Sequence, residues 1–125
     1  MMMSLGDYLE MELVEQTQEF TKVRMPVNDK TRQPFGFLHG GASVALAEQT
    51  ASLGASGHIQ ESEIVFGLEI NANHLSSIQE GYVLATATPI HIGRSTHVWQ
   101  VEIRDEVTDK LICISRCTLA VKVRR

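Results

Sequence analysis

The stretch Ala42-Ser43-Val44-Ala45-Leu46-Ala47-Glu48-Gln49-Thr50-Ala51-Ser52-Leu53-Gly54-Ala55 decides the fold. It is built almost wholly of Ala, Ser, Val, Leu and Thr, the composition of a helix buried on most of its sides, and Gly54 and Gly57 supply stop signals at its end. Its one charged residue is Glu48. A carboxylate in such company needs a reason, because withdrawing its charge from water is costly unless it is neutralised, paired or wet. The neighbours one turn away, Val44, Ala45, Ala51 and Ser52, offer no countercharge; Ser52, at i+4, offers a hydrogen bond that would hold the carboxylate's rotamer.

Outward from the helix, the chain reads as strands. Between Leu9 and Met25 partial alternation of apolar and polar residues predicts two strands joined near Thr17, followed by a turn-rich loop from Val27 to Gly36. Downstream, β-branched and aromatic runs at Ile64–Ile70, Tyr82–Pro89, Thr96–Ile103 and Leu111–Val121 predict four more strands, divided by segments such as Gln79-Glu80-Gly81. Two strands, one buried helix and four strands make an α+β layer in which an antiparallel sheet wraps a helix. A chain of 125 residues is the size of one domain, so residues 1–125 are read as a single unit without a linker.

Composition narrows the function. The net charge of −4, with both signs interspersed, provides no basic face for nucleic acid. No apolar run approaches the roughly 20 residues of a membrane span, and the start lacks the pattern of a signal peptide, so a cytoplasmic protein is expected. Cys113 and Cys117 lie four apart on one face of a predicted strand, too distant for a disulfide, and are read as packing residues. The histidines show no metal-ligand spacing, and no nucleophile elbow or P-loop is present; no cofactor or metal is expected.

The helix is entered through Gln33-Pro34-Phe35-Gly36-Phe37-Leu38-His39-Gly40-Gly41. The first turn of a helix leaves N–H groups unpaired at the positive end of its dipole, so the Gly40 and Gly41 amides suit a developing oxyanion. Gly40 and Glu48 are eight residues apart, about 12 Å along a helix, and cannot act together on one carbonyl. Two antiparallel helices from two subunits would bring Gly40 of one opposite Glu48 of the other, making a homodimer part of the site. His91-Ile92-Gly93-Arg94-Ser95-Thr96 has a glycine, a base and hydroxyls suited to phosphate oxygens, and Asn71-Ala72-Asn73-His74 ends a strand in polar residues that meet either solvent or ligand.

The run from Pro34 through Glu48 resembles the helix entry of hotdog-fold acyl-CoA thioesterases, in the group that contains the 4-hydroxybenzoyl-CoA and phenylacetate-pathway enzymes. The likeness extends through Gly67-Leu68-Glu69-Ile70-Asn71-Ala72-Asn73-His74 and Val98-Trp99-Gln100-Val101-Glu102-Ile103, and covers the chain from Leu5 to about Ala120. It implies a hotdog fold and hydrolysis of an acyl-CoA whose acyl group is aromatic, of the benzoyl or hydroxynaphthoyl type. By the same resemblance Glu48 is the catalytic carboxylate, nucleophile or base, and Gly40 the amide donor to the thioester oxygen. Gln33 and His39 lie around the reacting carbonyl, and Ser52 is the hydroxyl one turn beyond the carboxylate. Gly67, His74, Leu75, Ser76, Ser77 and the segment His91, Ile92, Gly93, Arg94, Ser95, Thr96 match regions that contact coenzyme A. Ser76 stands where some relatives carry a basic residue, and Arg94-Ser95 reverses the order Ser-Arg. Dimers of dimers, hence a homotetramer, are the usual assembly of that group. Two other functions fit the same scaffold: a hotdog hydratase or dehydratase acting on the acyl chain, and a non-catalytic acyl-CoA-binding module. Glu48 favours hydrolysis over both.

Overall fold

In the computed structural model, which describes residues 2–124, a 17-residue helix lies across the inner face of a six-stranded antiparallel sheet. The elements run α1 (Leu5–Tyr8), β1 (Glu12–Gln16), β2 (Thr21–Val27), α2 (Gly40–Ser56), β3 (Glu63–His74), β4 (Gly81–Ile92), β5 (Thr96–Asp105) and β6 (Leu111–Val123). The strand order is β1-β2-β4-β5-β6-β3, so β3, the strand that follows the helix, crosses to the far edge. This is the expected α+β arrangement.

Alternation places the core. On β5 His97, Trp99, Val101 and Ile103 are buried, and they meet Val83, Ala85 and Ala87 of β4 and Cys113, Cys117 and Leu119 of β6 beneath the helix. The helix contributes Leu46, Ala47, Ala51 and Ala55, whose small side chains allow its backbone to lie close to the sheet. Gly54 carries that closeness to its limit: a Cβ there would stand 2.7 Å from the Trp99 ring. Both cysteines are free and buried on the core side, as packing residues.

Several boundaries differ from the sequence reading, β4 among them, which runs on to Ile92 rather than ending at Pro89. Residues 5–8 form a helical turn that the alternation did not reveal, because Ser4 and Asp7 satisfy each other's backbone amides in a reciprocal cap. Leu9 caps that turn, so the first strand begins at Glu12 rather than Leu9. β3 continues past Ile70 to His74, through an interruption at Leu68 where its register against β6 slips between Gly67 and Glu69. That bulge changes which side chains face the helix. Before it Val65 packs on the core; after it Ile70 and Ala72 do.

Candidate active site

The loop before α2 is held at several backbone points. Leu38 N–H donates to Ile78 O at 2.8 Å and His39 N–H to Thr31 O at 2.7 Å, which fixes the chain immediately before the helix. His39 is the N-cap, with extended backbone, and its Nδ1 accepts from Gly41 N–H at 2.8 Å. An accepting Nδ1 leaves Nε2 to carry the proton of the neutral ring. The next N–H, that of Gly40, has no acceptor among the described residues. It opens into a cleft of about 550 Å³ lined by Gln33, Phe37, Gly40, Ser43, His74 and Ile112, with Leu75, Ser76 and Ser77 along the same wall. Gln33 Oε1 accepts from the Phe35 and Phe37 N–H groups, so its NH₂ remains for another partner. The His74 ring stands close by: a Cβ on Gly40 would be 3.1 Å from His74 Nε2.

Glu48 lies two turns further on and outside that cleft. It is half-buried, and among the described residues no cation or donor pairs with its carboxylate. The carboxylate rests over Gly67 of β3, where an added Cβ would run into Glu48 Oε2. Cys117 lies within its electrostatic reach. Burial first, and then the charges of Glu48 and Glu69, push the Cys117 thiol up to about 12, which favours the neutral thiol over the thiolate.

The sequence-predicted residues thus divide into three groups within one chain. Gln33, Gly40 and the segment His74–Ser77 come together at the start of α2, with His39 capping the same turn. Glu48 and Gly67 meet at its middle. Ser52 is near them on the helix, but its hydroxyl makes no hydrogen bond to Glu48; instead its carbonyl accepts from Ser56 Oγ at 2.8 Å and the residue borders a groove with Ser56, Ile64, Val65 and Arg124. The expected i+4 bond is therefore not formed. The segment His91–Thr96 takes in the end of β4, the turn Gly93–Ser95 and the first residue of β5, and lies away from the cleft. Its Gly93 N–H donates to Thr96 O at 2.8 Å, which leaves the side chains of Arg94 and Ser95, both exposed, as the groups able to meet a phosphate.

Comparison with known proteins gives this geometry a family. Residues 35–112 match the Thioesterase superfamily. The chain is 56% identical to a 1,4-dihydroxy-2-naphthoyl-CoA hydrolase of Listeria monocytogenes, over 98% of this chain and 99% of that protein. The chain belongs to the thioesterase superfamily. A hydrolase of the same name from Escherichia coli is 50% identical over 78% of this chain and 71% of its own. A thioesterase structure from Haemophilus influenzae superposes with a TM-score of 0.92 at 48% identity, covering 96% of this chain and 83% of that one. One from Staphylococcus aureus gives 0.91 at 45%, covering 94% and 98%. The fold is the hotdog fold, and the enzyme is a thioester hydrolase.

Sequence reasoning passed over one wall of this thioesterase's cleft. Ser43 is buried there three residues beyond Gly40, and i, i+3 spacing on a helix puts the two on one face, a signal available in the sequence. Ile112 joins it through tertiary contact alone, reaching the cleft because its carbonyl accepts from Leu75 N–H at 2.8 Å, which draws the start of β6 against the chain after β3.

Proposed function

We propose that this thioesterase hydrolyses an aromatic acyl-CoA, 1,4-dihydroxy-2-naphthoyl-CoA or a benzoyl-type ester, releasing free acid and CoA as a step of menaquinone biosynthesis. The observation that carries the substrate class is 56% identity, end to end, with a hydrolase named for that naphthoyl thioester. The thioester oxygen sits at the unpaired Gly40 N–H, where the helix dipole opposes the charge that develops on it. The Gln33 NH₂ and the His39 ring flank it. Glu48 either attacks the carbonyl carbon, giving a mixed anhydride that water then hydrolyses, or takes the proton of the attacking water. The CoA thiolate leaves in both cases. A carboxylate and a helix terminus supply both nucleophile and charge stabilisation, so the reaction needs no metal ion or other cofactor.

The two halves of that chemistry come from two subunits. Glu48 is two turns of helix away from Gly40, about 12 Å at 1.5 Å per residue. β3 supplies the surface for assembly: it is a 12-residue edge strand with Phe66 and Leu68 exposed, lying beside the half-covered helix face of Val44, Ala45 and Glu48. Long apolar edges of this kind are templates for strand pairing. Pairing of β3 with its copy about a two-fold axis sets the helices antiparallel, Gly40 opposite the partner's carboxylate, and two such dimers make the tetramer. CoA then runs from the His74–Ser77 wall toward His91–Thr96. A cytoplasmic location is in keeping with two free thiols and an acyl-CoA substrate.

Free thiol release from a panel of aromatic and aliphatic acyl-CoAs tests the substrate, with and without EDTA. The expected outcome is kcat/KM highest for the naphthoyl ester and unchanged by chelation. Activity lost in EDTA and restored by zinc or magnesium, or a preference for aliphatic chains, would overturn the proposal.

A further inference from the structure

We propose that Gly67 is a positioning residue for the Glu48 carboxylate, the absent side chain and the adjoining bulge of β3 together forming the seat from which Glu48 acts. The inference rests on Glu48 being the reacting carboxylate. It begins from space: the three atoms nearest to a Cβ built on Gly67 all belong to Glu48, with Oε2 in collision, Cδ at 3.1 Å and Cγ at 3.6 Å. Among the described residues no other glycine has a carboxylate as its nearest obstacle. The obstructing atom is the free end of a flexible side chain. A methyl group at position 67 therefore moves the carboxylate and leaves the sheet in place, since a glutamate on a helix has other staggered rotamers to adopt.

The bulge makes Gly67 the residue that faces Glu48 and keeps an unwanted one away. Val65 and Gly67 face the helix in one phase; past Leu68 the phase changes, and Ile70, Ala72 and His74 face it instead. Unbroken alternation from Val65 and Gly67 would turn Glu69 and Asn71 inward, aiming a second carboxylate toward Glu48. With the extra residue, Glu69 is exposed. Like charges that close disfavour each other's ionised form, which a nucleophile or base cannot do without. One bulge thus serves both parts of the site, with Gly67 under Glu48 and His74 beside Gly40.

Kinetics and melting temperature of Gly67→Ala, Glu48→Asp and the double variant test the proposal. Displacing a reacting group by about an ångström costs on the order of 10²-fold, so Gly67→Ala should lower kcat by roughly that factor while KM and melting temperature stay near wild type. In the Glu48→Asp background the same methyl group should cost far less, because the shorter side chain stops short of position 67. Wild-type kcat in Gly67→Ala, an equal fold-loss in both backgrounds, or a loss confined to KM would each overturn it. Should Gly67→Ala fail to fold, Glu48→Ala is added: recovery of folding supports the contact, and continued unfolding refutes it. Wild-type turnover in Glu48→Gln would instead remove the assignment of Glu48 itself, whatever Gly67→Ala does.

Discussion

The two ends of α2 are built to opposite rules. At its C-terminal end the last carbonyls are answered: Gln16 Nε2 donates to Leu53 O at 2.7 Å, Gln18 Nε2 donates to Gly57 O just past the helix at 3.0 Å, and His58 N–H bonds Ala55 O at 2.9 Å. Gly54 is pressed on the Trp99 ring, and His58 meets the same ring edge-on with centroids 5.6 Å apart. At the N-terminal end the Gly40 N–H is left without an acceptor among the described residues, beside an open cleft. An unpaired donor detracts from stability, and in the proposed reaction it is the feature that would meet the developing negative charge. The closed end holds the helix on the sheet; the open end is the one the proposed reaction uses.

That contrast is broken most severely at the closed end. Trp99→Ala removes a fully buried ring from beneath Gly54, and it should cost about 3–5 kcal/mol of unfolding free energy in denaturant titrations. A loss below about 1 kcal/mol would mean the helix is anchored elsewhere.

At the reacting half, Glu48→Gln should lower kcat by roughly 10²-fold or more while acyl-CoA affinity and melting temperature are retained. A buried structural charge would show the reverse, with kcat kept and stability changed. The same variant probes the shared site when mixed with Gly40→Pro. Proline lacks the N–H but suits the first helical position, and His39 already has the extended backbone that a residue before proline requires. Mixed dimers should regain one working site, and no recovery would place donor and carboxylate in the same chain.

The smallest effect is a pH dependence at the closed end. His97 is buried on β5, its Nδ1 accepting from Trp99 Nε1 at 3.4 Å; burial, then the nearby His58 and His91, push its pKa down, with Glu63 opposing. The unfolded chain therefore takes up this proton at a higher pH than the folded one. Stability should be full above the ordinary histidine value of about 6.5 and fall as the pH drops below it, by at most about 1.4 kcal/mol per pH unit for one proton. Melting temperatures of wild type and His97→Gln across that window should diverge in slope, and parallel curves would clear His97 of the effect.

Much of this is legible in the residues themselves. The buried helix, its carboxylate and the glycine entry stood out because a helix is a local structure: which residues share a face follows from 3.6 residues per turn. The sheet was readable as a set of strands but not in its details. The bulge at Leu68 broke the alternation that marks a strand, so β3 read as ending at Ile70 when it continues to His74. The short α1 turn escaped because it is held by a cap between Ser4 and Asp7 rather than by an apolar periodicity. Ser52 was placed one turn from Glu48, but i+4 spacing supplies proximity and not a rotamer, and the bond is absent.

That one helix carries both a glycine amide at its start and a lone carboxylate, about 12 Å apart by the helix rise, follows from residue spacing alone. The tertiary structure alone decided what each of them faces. Strand order, the edge position of β3 and the bulge that seats Glu48 over Gly67 and brings His74 to Gly40 all depend on pairing between residues about fifty apart in the chain, such as Gly67 with Leu119. Register in a sheet is set by the partner strand, and a shift of one residue turns every side chain to the other face.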